Sequence, residues 1–468
     1  MKKRIVLLLS FCFFSGEITS AATRYIRTDG TDTGQCSSVA TPCKSIQYAI
    51  NRAAEASNDT IRIASGTYNE AVVIPSSFQE LHLTLSGGWN DDFSLSCNGQ
   101  PTILTAPDTS QSVIKMFDSA VWNTLDLNLT CINFQGNGLT YPLNAISMYS
   151  NRQNSMELSL DRCTASHFPG QALLIQAENS AQLTVQLNEV RLEHNSALLN
   201  GNWSGIGLFA RATDADSVLD LDLENCWIRD NVGDNDQQGG GGVSLNAGEG
   251  GVLNATMTNT VIVGNEKDDT GAGLRVAASG TTSQSVLELD LINSTISGNR
   301  SLSFPAGGGL SVYAGNTSKT TVRLKNTIVW GNENSQGAND DIYLYENALN
   351  NEAEVSLTSS YSILSSINNE ENQSVFTDGG HNLSVDPCLR SDYHLRRNSP
   401  AIDAGQCGTR LLPLNTYYRI APLKDIDGED RPPWGEYTGC DIGADEYFPR
   451  MLCFPIRTGK GDMTMICM

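Results

Sequence analysis

An all-β chain wound as a right-handed, single-stranded parallel β-helix is the fold this sequence predicts, with an N-terminal helical cap and a disulfide-closed C-terminal hairpin. Three observations lead there. A pattern Asn-x-φ-φ-x-x-Asn recurs at 33 or 34 residues, in Asn225 to Asn231, Asn259 to Asn265, Asn293 to Asn299 and Asn326 to Asn332. Before each first Asn, apolar residues alternate with polar ones: Leu221 and Leu223, Ala255 and Met257, Leu289 and Leu291, Val322 and Leu324. Period two is the mark of a strand with one buried face, and a repeat near 34 residues is one structural unit stacked on the next.

Each unit divides into three short strands. The alternating run is the first. After the Asn, inward positions continue through Cys226, Thr260, Ser294 and Thr327, then Ile228, Ile262, Ile296 and Val329. A third, glycine-led strand starts at Gly207-Leu208, Gly242-Val243, Gly273-Leu274 and Gly309-Leu310, with Asp341-Ile342 in the same place in the next unit. Like residues then stack at about 4.8 Å per coil. The turn Asn residues suit this arrangement, because Asn tolerates the left-handed backbone and its amide can bond the amide above. Weaker copies over 125–134, 158–164 and 183–195 extend the coils from about Ile61 to about Ile363, about ten in all.

The ends are read separately. Residues 1–22 have a basic start (Lys2, Lys3, Arg4), an apolar run from Ile5 to Phe14, and small residues at Ser20, Ala21 and Ala22, so they read as a secretory signal peptide, with maturation near Thr23. Over 44–56, Ile46, Ala49, Ile50 and Ala53 share one helical face, and the region 23–60 is expected to cap the first coil. Coils occupy 61–384, a capping region 385–448, and a hairpin 449–468. Cys453 and Cys467 lie equidistant from Lys460, so a turn there would set them opposite one another. Spacing also suggests Cys36 with Cys43 and Cys407 with Cys440. The partners of Cys97, Cys131, Cys163, Cys226 and Cys388 stay open, with Cys131, Cys163 and Cys226 read as buried core thiols.

Charge narrows the partners. The full chain has 52 acidic and 30 basic residues, a formal charge of −22; removing a leader of net +2 leaves −24. Nucleic acid and anionic membrane would be repelled, and no later apolar run approaches a membrane span. The five histidines are scattered, so no metal site is assigned, and calcium is the one cofactor the acidic residues admit. Asp425, Asp427 and Asp430 do not follow EF-hand spacing and read as a rigid turn.

The motifs Asn326-Thr-Ile-Val-Trp-Gly-Asn332, Gly66-Thr-Tyr68 with Glu70, and Gly87-Gly-Trp-Asn90 resemble parallel β-helix proteins of the pectate-lyase-like superfamily. Asp392-Tyr-His-Leu395, Ser399-Pro-Ala-Ile-Asp-Ala-Gly405, Asp425-Ile-Asp-Gly428 with Arg431-Pro432, and Asp441-Ile-Gly-Ala-Asp-Glu446 resemble the choice-of-anchor Q group of bacterial β-helix proteins. That resemblance implies a secreted or surface protein, most members having no established activity. This chain departs from many relatives in lacking a sorting motif with an apolar anchor after residue 450.

Enzymes of the superfamily cleave acidic polysaccharides with clustered carboxylates, as calcium ligands or acid/base pairs. Here Asp220/Asp222 and Glu288/Asp290 are outward strand positions, Asp290 facing Arg323 one coil on, and Asp268/Asp269 and Asp340/Asp341 fall in loops. The polygalacturonase set of Asn-Thr-Asp, Asp-Asp, Gly-His-Gly and Arg-x-Lys has no counterpart beyond bare Asp-Asp pairs, so no catalytic residue is assigned. Outward positions on the glycine-led strands put Arg275 and Tyr343 in one column and Tyr313 and Tyr345 in the next. They form the candidate binding patch: aromatic faces beside a guanidinium suit sugar rings. The expectation is an exported, non-catalytic β-helix binding a glycan or surface molecule. The alternatives are a polysaccharide lyase or glycoside hydrolase, and a structural stalk.

Overall fold

The computed structural model describes residues 21–53, 58–74, 80–97, 99–107, 112–117, 124–136, 144–150, 153–197, 206–233, 239–302, 307–347, 352–369, 374–411, 416–432, 439–448, 453–457 and 463–467; side chains of 409–411, 416, 417 and the last two stretches are not among them. Residues 1–20, on which most of the expected leader falls, lie outside this set.

The chain is a parallel β-solenoid. Three long sheets of twelve, ten and ten strands run its length, each strand bonded to its equivalents one repeat earlier and later. One coil shows the order: Val218–Glu224 in the first sheet, Trp227–Arg229 in the second, then Val243–Gly248 in the third. Four coils add a two-residue strand between the second and third sheets, at Ser196–Ala197, Val232–Gly233, Glu266–Lys267 and Arg300–Ser301, a fourth element the pattern did not reveal. Ile228, Ile262, Ile296 and Val329 stack in register as predicted, all buried. No helix among the described residues is long and apolar enough to cross a membrane.

Two ladders of asparagine amides stitch the coils. At the turn column, Asn225, Asn259, Asn293 and Asn326 have φ between 46° and 56°. Asn259 Nδ2 donates to Asn225 Oδ1 at 3.0 Å, and Asn326 Nδ2 to Asn293 Oδ1 at 3.0 Å. The second column is fully buried: Asn195, Asn231, Asn265 and Asn299 each donate through Nδ2 to the next Asn Oδ1 at 2.9 Å, ending on Asn332. Asn332 in turn donates to Asp341 Oδ1 at 2.8 Å. Past Asn332 the next coil passes directly into the third sheet, where Ile367 pairs with Ile342, and Asp341 supplies the last acceptor. The leading glycines make room for this ladder, since a Cβ on Gly273 would lie 2.7 Å from Asn299 Nδ2, and one on Gly309 2.7 Å from Asn332 Nδ2.

The ends correct three expectations. The helical cap expected over 44–56 is not supported: among the described residues of that span, 44–53, helix covers only Ile46–Ile50, its buried side chains joining the core. The first coil is instead extended by strand Thr23–Ile26, and a Cys36–Cys43 disulfide closes the adjoining loop. Cys131 is not a core thiol but bonds Cys97, because it occupies the left-handed turn position (φ 55°), one residue before the inward column that holds Cys163 and Cys226. Region 385–448, expected to seal the last coil, runs back along the outside of the second sheet as a strap. Cys407–Cys440 forms within it. The terminal hairpin has the predicted register, Cys453 opposite Cys467, while the bond between their sulfurs lies outside the described side chains.

Candidate functional site

The strap exists because the second sheet's outer face turns apolar. Along one outward column the residues are Asn133, Thr164, Arg191, Trp227, Val261, Thr295, Ile328 and Ile363. Ile328 and Ile363 are buried against Leu395, Ala401 and Ile442, and Val261 with Val263 against Ala444. Arg431 pins the strap: its guanidinium is buried, pairs with Glu446 at 2.7 Å, and donates to Asn259 Oδ1 at 3.3 Å and to the Gly443 and Ala444 carbonyls. Asn293 and Asn326 reach outward from the turn ladder to the Asp441 and Gln406 carbonyls. Burial pushes Asp441 up to about 6 and Glu446 up to about 7, the nearby guanidinium opposing without cancelling it.

Where that column becomes polar the strap ends, leaving a cleft of about 430 Å³ between the coils and the loop 424–428. Trp227 stands in it, half-buried, with Arg162, Arg191, Glu189, Asn225 and Lys424 around it. The three cations differ. Arg162 is bound to Asp161 at 2.8 Å, and Lys424 to Asp430 at 3.0 Å, whereas the exposed Arg191 side chain has no partner among the described residues. An aromatic face beside an uncommitted guanidinium is a stacking and hydrogen-bonding platform.

Behind the cleft, the strap's motifs converge. His394 Nε2 meets Asp427 Oδ2 at 2.7 Å, and its Nδ1 lies 3.2 Å from Asp392. Burial opposes protonation of His394, but Asp445, Asp427 and Asp392 outweigh it and raise its pKa. Ligand atoms of His394, Asp427 and Asp445 lie within 4.8 Å of one another, a spacing open to a divalent cation. Asp445 Oδ2 already accepts the Leu395 amide at 2.7 Å. Asp425 organises a turn, taking the Asp427 and Glu429 amides on Oδ1 and the Glu446 amide on Oδ2, but the turn lies beside the coils of Arg191 and Trp227 and does not seal the final coil, as was expected of it.

The predicted patch assembles, but not as an exposed face. Tyr343–Tyr345 and Tyr345–Tyr313 rings stack at 4.7 and 4.6 Å, and Arg275 lies 5.9 Å from the Tyr313 ring. Arg275 and Tyr343 are only 2% and 3% exposed. The loops carrying Gly271 and Gly307 fold back over this column, close enough that a Cβ on Gly307 would lie 3.1 Å from that of Tyr343. Tyr313 and Tyr345 stay half-buried. On the first sheet, Arg323 pairs with both Glu288 (2.9 Å) and Asp290 (3.2 Å), and Asn254 donates to Asp220 at 2.9 Å, so these carboxylates form a solvated, paired face.

The cleft was missed because its parts lie far apart in sequence: Trp227 and Arg191 on coils, Lys424 and Asp427 on the strap. The apolar switch at Val261, Ile328 and Ile363, in positions that alternation assigns to the outside, was the signal that something covers them. Comparison of the chain with models of known families, with curated proteins and with solved structures found no match.

Proposed function

We propose that this chain is an exported, non-catalytic β-solenoid that binds a glycan, and that the cleft beside the strap is where it does so. The carrying observation is Trp227 set next to Arg191, whose guanidinium is uncommitted in a chain of formal charge −22. A sugar ring would stack on the indole, and a hydroxyl or acidic substituent would bond the guanidinium; Asn225 adds an amide. Export is supported by the leader-like N-terminus and by three disulfides among the described residues. Kinship with the choice-of-anchor Q proteins of the pectate-lyase-like superfamily rests on the strap motifs, which pack together here.

Glycan-array binding followed by calorimetry tests the reading. Trp227→Ala and Arg191→Ala should each weaken binding at least tenfold, the exposed Arg191→Ala with the thermal midpoint held. Tyr345→Ala should leave it unchanged; the reverse pattern returns the site to the third sheet. Release of reducing or unsaturated ends from a polysaccharide panel, with or without calcium, would make the protein an enzyme instead.

A further inference from the structure

Two cuts satisfy the small-residue rule at the end of the leader: after Ala21, with Thr19 two places before it, and after Ala22, with Ser20 two places before it. Sequence alone places maturation near Thr23, after the second of these, whereas the folded chain accommodates the first. Ala22 is already part of the first sheet's edge. Its carbonyl accepts the Thr60 amide at 2.9 Å, and its own N–H donates to Asp59 Oδ1 at 2.7 Å. Asp59 is 1% exposed, and its Oδ2 pairs with Arg24 at 2.8 Å. Arg24 is itself buried and bonds the carbonyls of Gln35 (3.1 Å) and Arg52. Ala21 is exposed.

A cut after Ala22 would remove both bonds and take a donor from a buried carboxylate. A cut after Ala21 keeps both. It also turns the donor into an ammonium at hydrogen-bond distance from Asp59, and a charged donor to a carboxylate is about twice as strong as a neutral one. We infer that a leader peptidase hydrolyses the Ala21–Ala22 bond, so that the mature chain begins at Ala22 and its new ammonium completes a buried cluster with Asp59 and Arg24. In that step water adds hydroxyl to the Ala21 carbonyl carbon as the C–N bond breaks. The freed Ala22 amine then takes up a proton. The inference rests on the export reading above.

The test is the intact mass and N-terminal sequence of the full chain secreted from a bacterial host. A mature protein starting at Ala22 supports the inference. A start at Thr23 or elsewhere overturns it while leaving export intact, and an uncleaved Met1 form in the cell overturns both. In the exported protein, Asp59→Asn should lower the thermal midpoint and speed acylation of the α-amine by an amine-reactive ester; unchanged values of both would refute the cluster.

Discussion

Replacing Asn265 with Ala tests whether the buried amide ladder holds the coils together. Asn265 Oδ1 accepts the backbone N–H of Asn231 (3.1 Å) and its Nδ2 (2.9 Å), while Asn265 Nδ2 donates to Asn299 Oδ1 (2.9 Å) and the Ile228 carbonyl (3.0 Å). Asn231 Nδ2 keeps a bond to the Leu192 carbonyl, and Asn299 Oδ1 keeps the Asn265 amide. Truncation therefore deprives the Asn231 amide of its side-chain acceptor, at about 1–3 kcal/mol, and leaves Asn231 Nδ2 and the Ile228 carbonyl each short of one bond. The expected loss is about 3 kcal/mol, the low end applying if water enters the space. Urea unfolding with peptide-resolved hydrogen exchange measures it, because a solenoid can open coil by coil. Asn254→Ala, which breaks an exposed amide–carboxylate bond to Asp220, is the control and should cost under about 0.5 kcal/mol. The double change Asn231→Ala with Asn265→Ala should cost less than the sum of the singles, because it removes the Asn231 side-chain donor that the Asn265 truncation leaves short. Equal losses at Asn265 and Asn254, or strict additivity, would refute the ladder as a stabilising unit.

Two further outcomes concern the strap and the first coils. Asp441 and Glu446 hold their protons in the fold up to about 6 and about 7, well above their unfolded values, so between about pH 4 and 7 the folded state binds more protons and strap docking weakens as pH rises. His394, raised as well, adds stability below its unfolded pKa that is lost as pH rises through its folded one, so it acts in the same direction. Hydrogen exchange over 424–447, corrected for intrinsic rates, should show more protection at pH 5 than at pH 8; the opposite order would contradict this account. Cys97→Ser with Cys131→Ser opens a loop closed across 34 residues and should cost about 3–4 kcal/mol by chain entropy, read as a denaturant midpoint difference from the oxidised wild type that disappears when both proteins are reduced. A difference of the same size that persists between variant and wild type when both are reduced would place the effect in the side chains rather than in the crosslink.

The coils were legible because the physics behind them is periodic. Leu221, Ala255 and Leu289 fall into one column since the strand period is two and the repeat holds its length, and the Asn turns announce their left-handed backbone by residue type alone. Cys131 shows the limit of such reading. In a strand-turn-strand unit one residue of offset moves a side chain from core to surface, and its own repeat is too weak to fix the offset. Arg275 and Tyr343 show another: alternation tells which face of a sheet a residue occupies, not whether a loop returns to cover it. The helical face at Ile46, Ala49, Ile50 and Ala53 was real as a burial pattern, but the five-residue helix places only the first three, and Ala53 is buried beyond its end.

The position of the cleft follows from a boundary on the second sheet. A strap that buries Val261, Ile328 and Ile363 gains apolar contact on those coils and a bond from the Ala444 amide to Thr295 between them, and the apolar stripe ends at Trp227, where the column continues as Arg191, Thr164 and Asn133. The strap therefore stops there. At its edge the last apolar residue is half-covered, and the first charged one lacks a partner among the described residues, since Glu193 two residues along the strand is taken by Arg229 at 2.7 Å. Changing Arg191 to Val should thus do more than remove a charge: it extends the apolar stripe by one coil, and the loop 424–428 would be drawn over Trp227, closing the cleft. Indole fluorescence moving to shorter wavelength in Arg191→Val but not in Arg191→Gln would bear this out, and identical spectra in the two variants would show that the strap's end is set by its own turn at Asp425 instead.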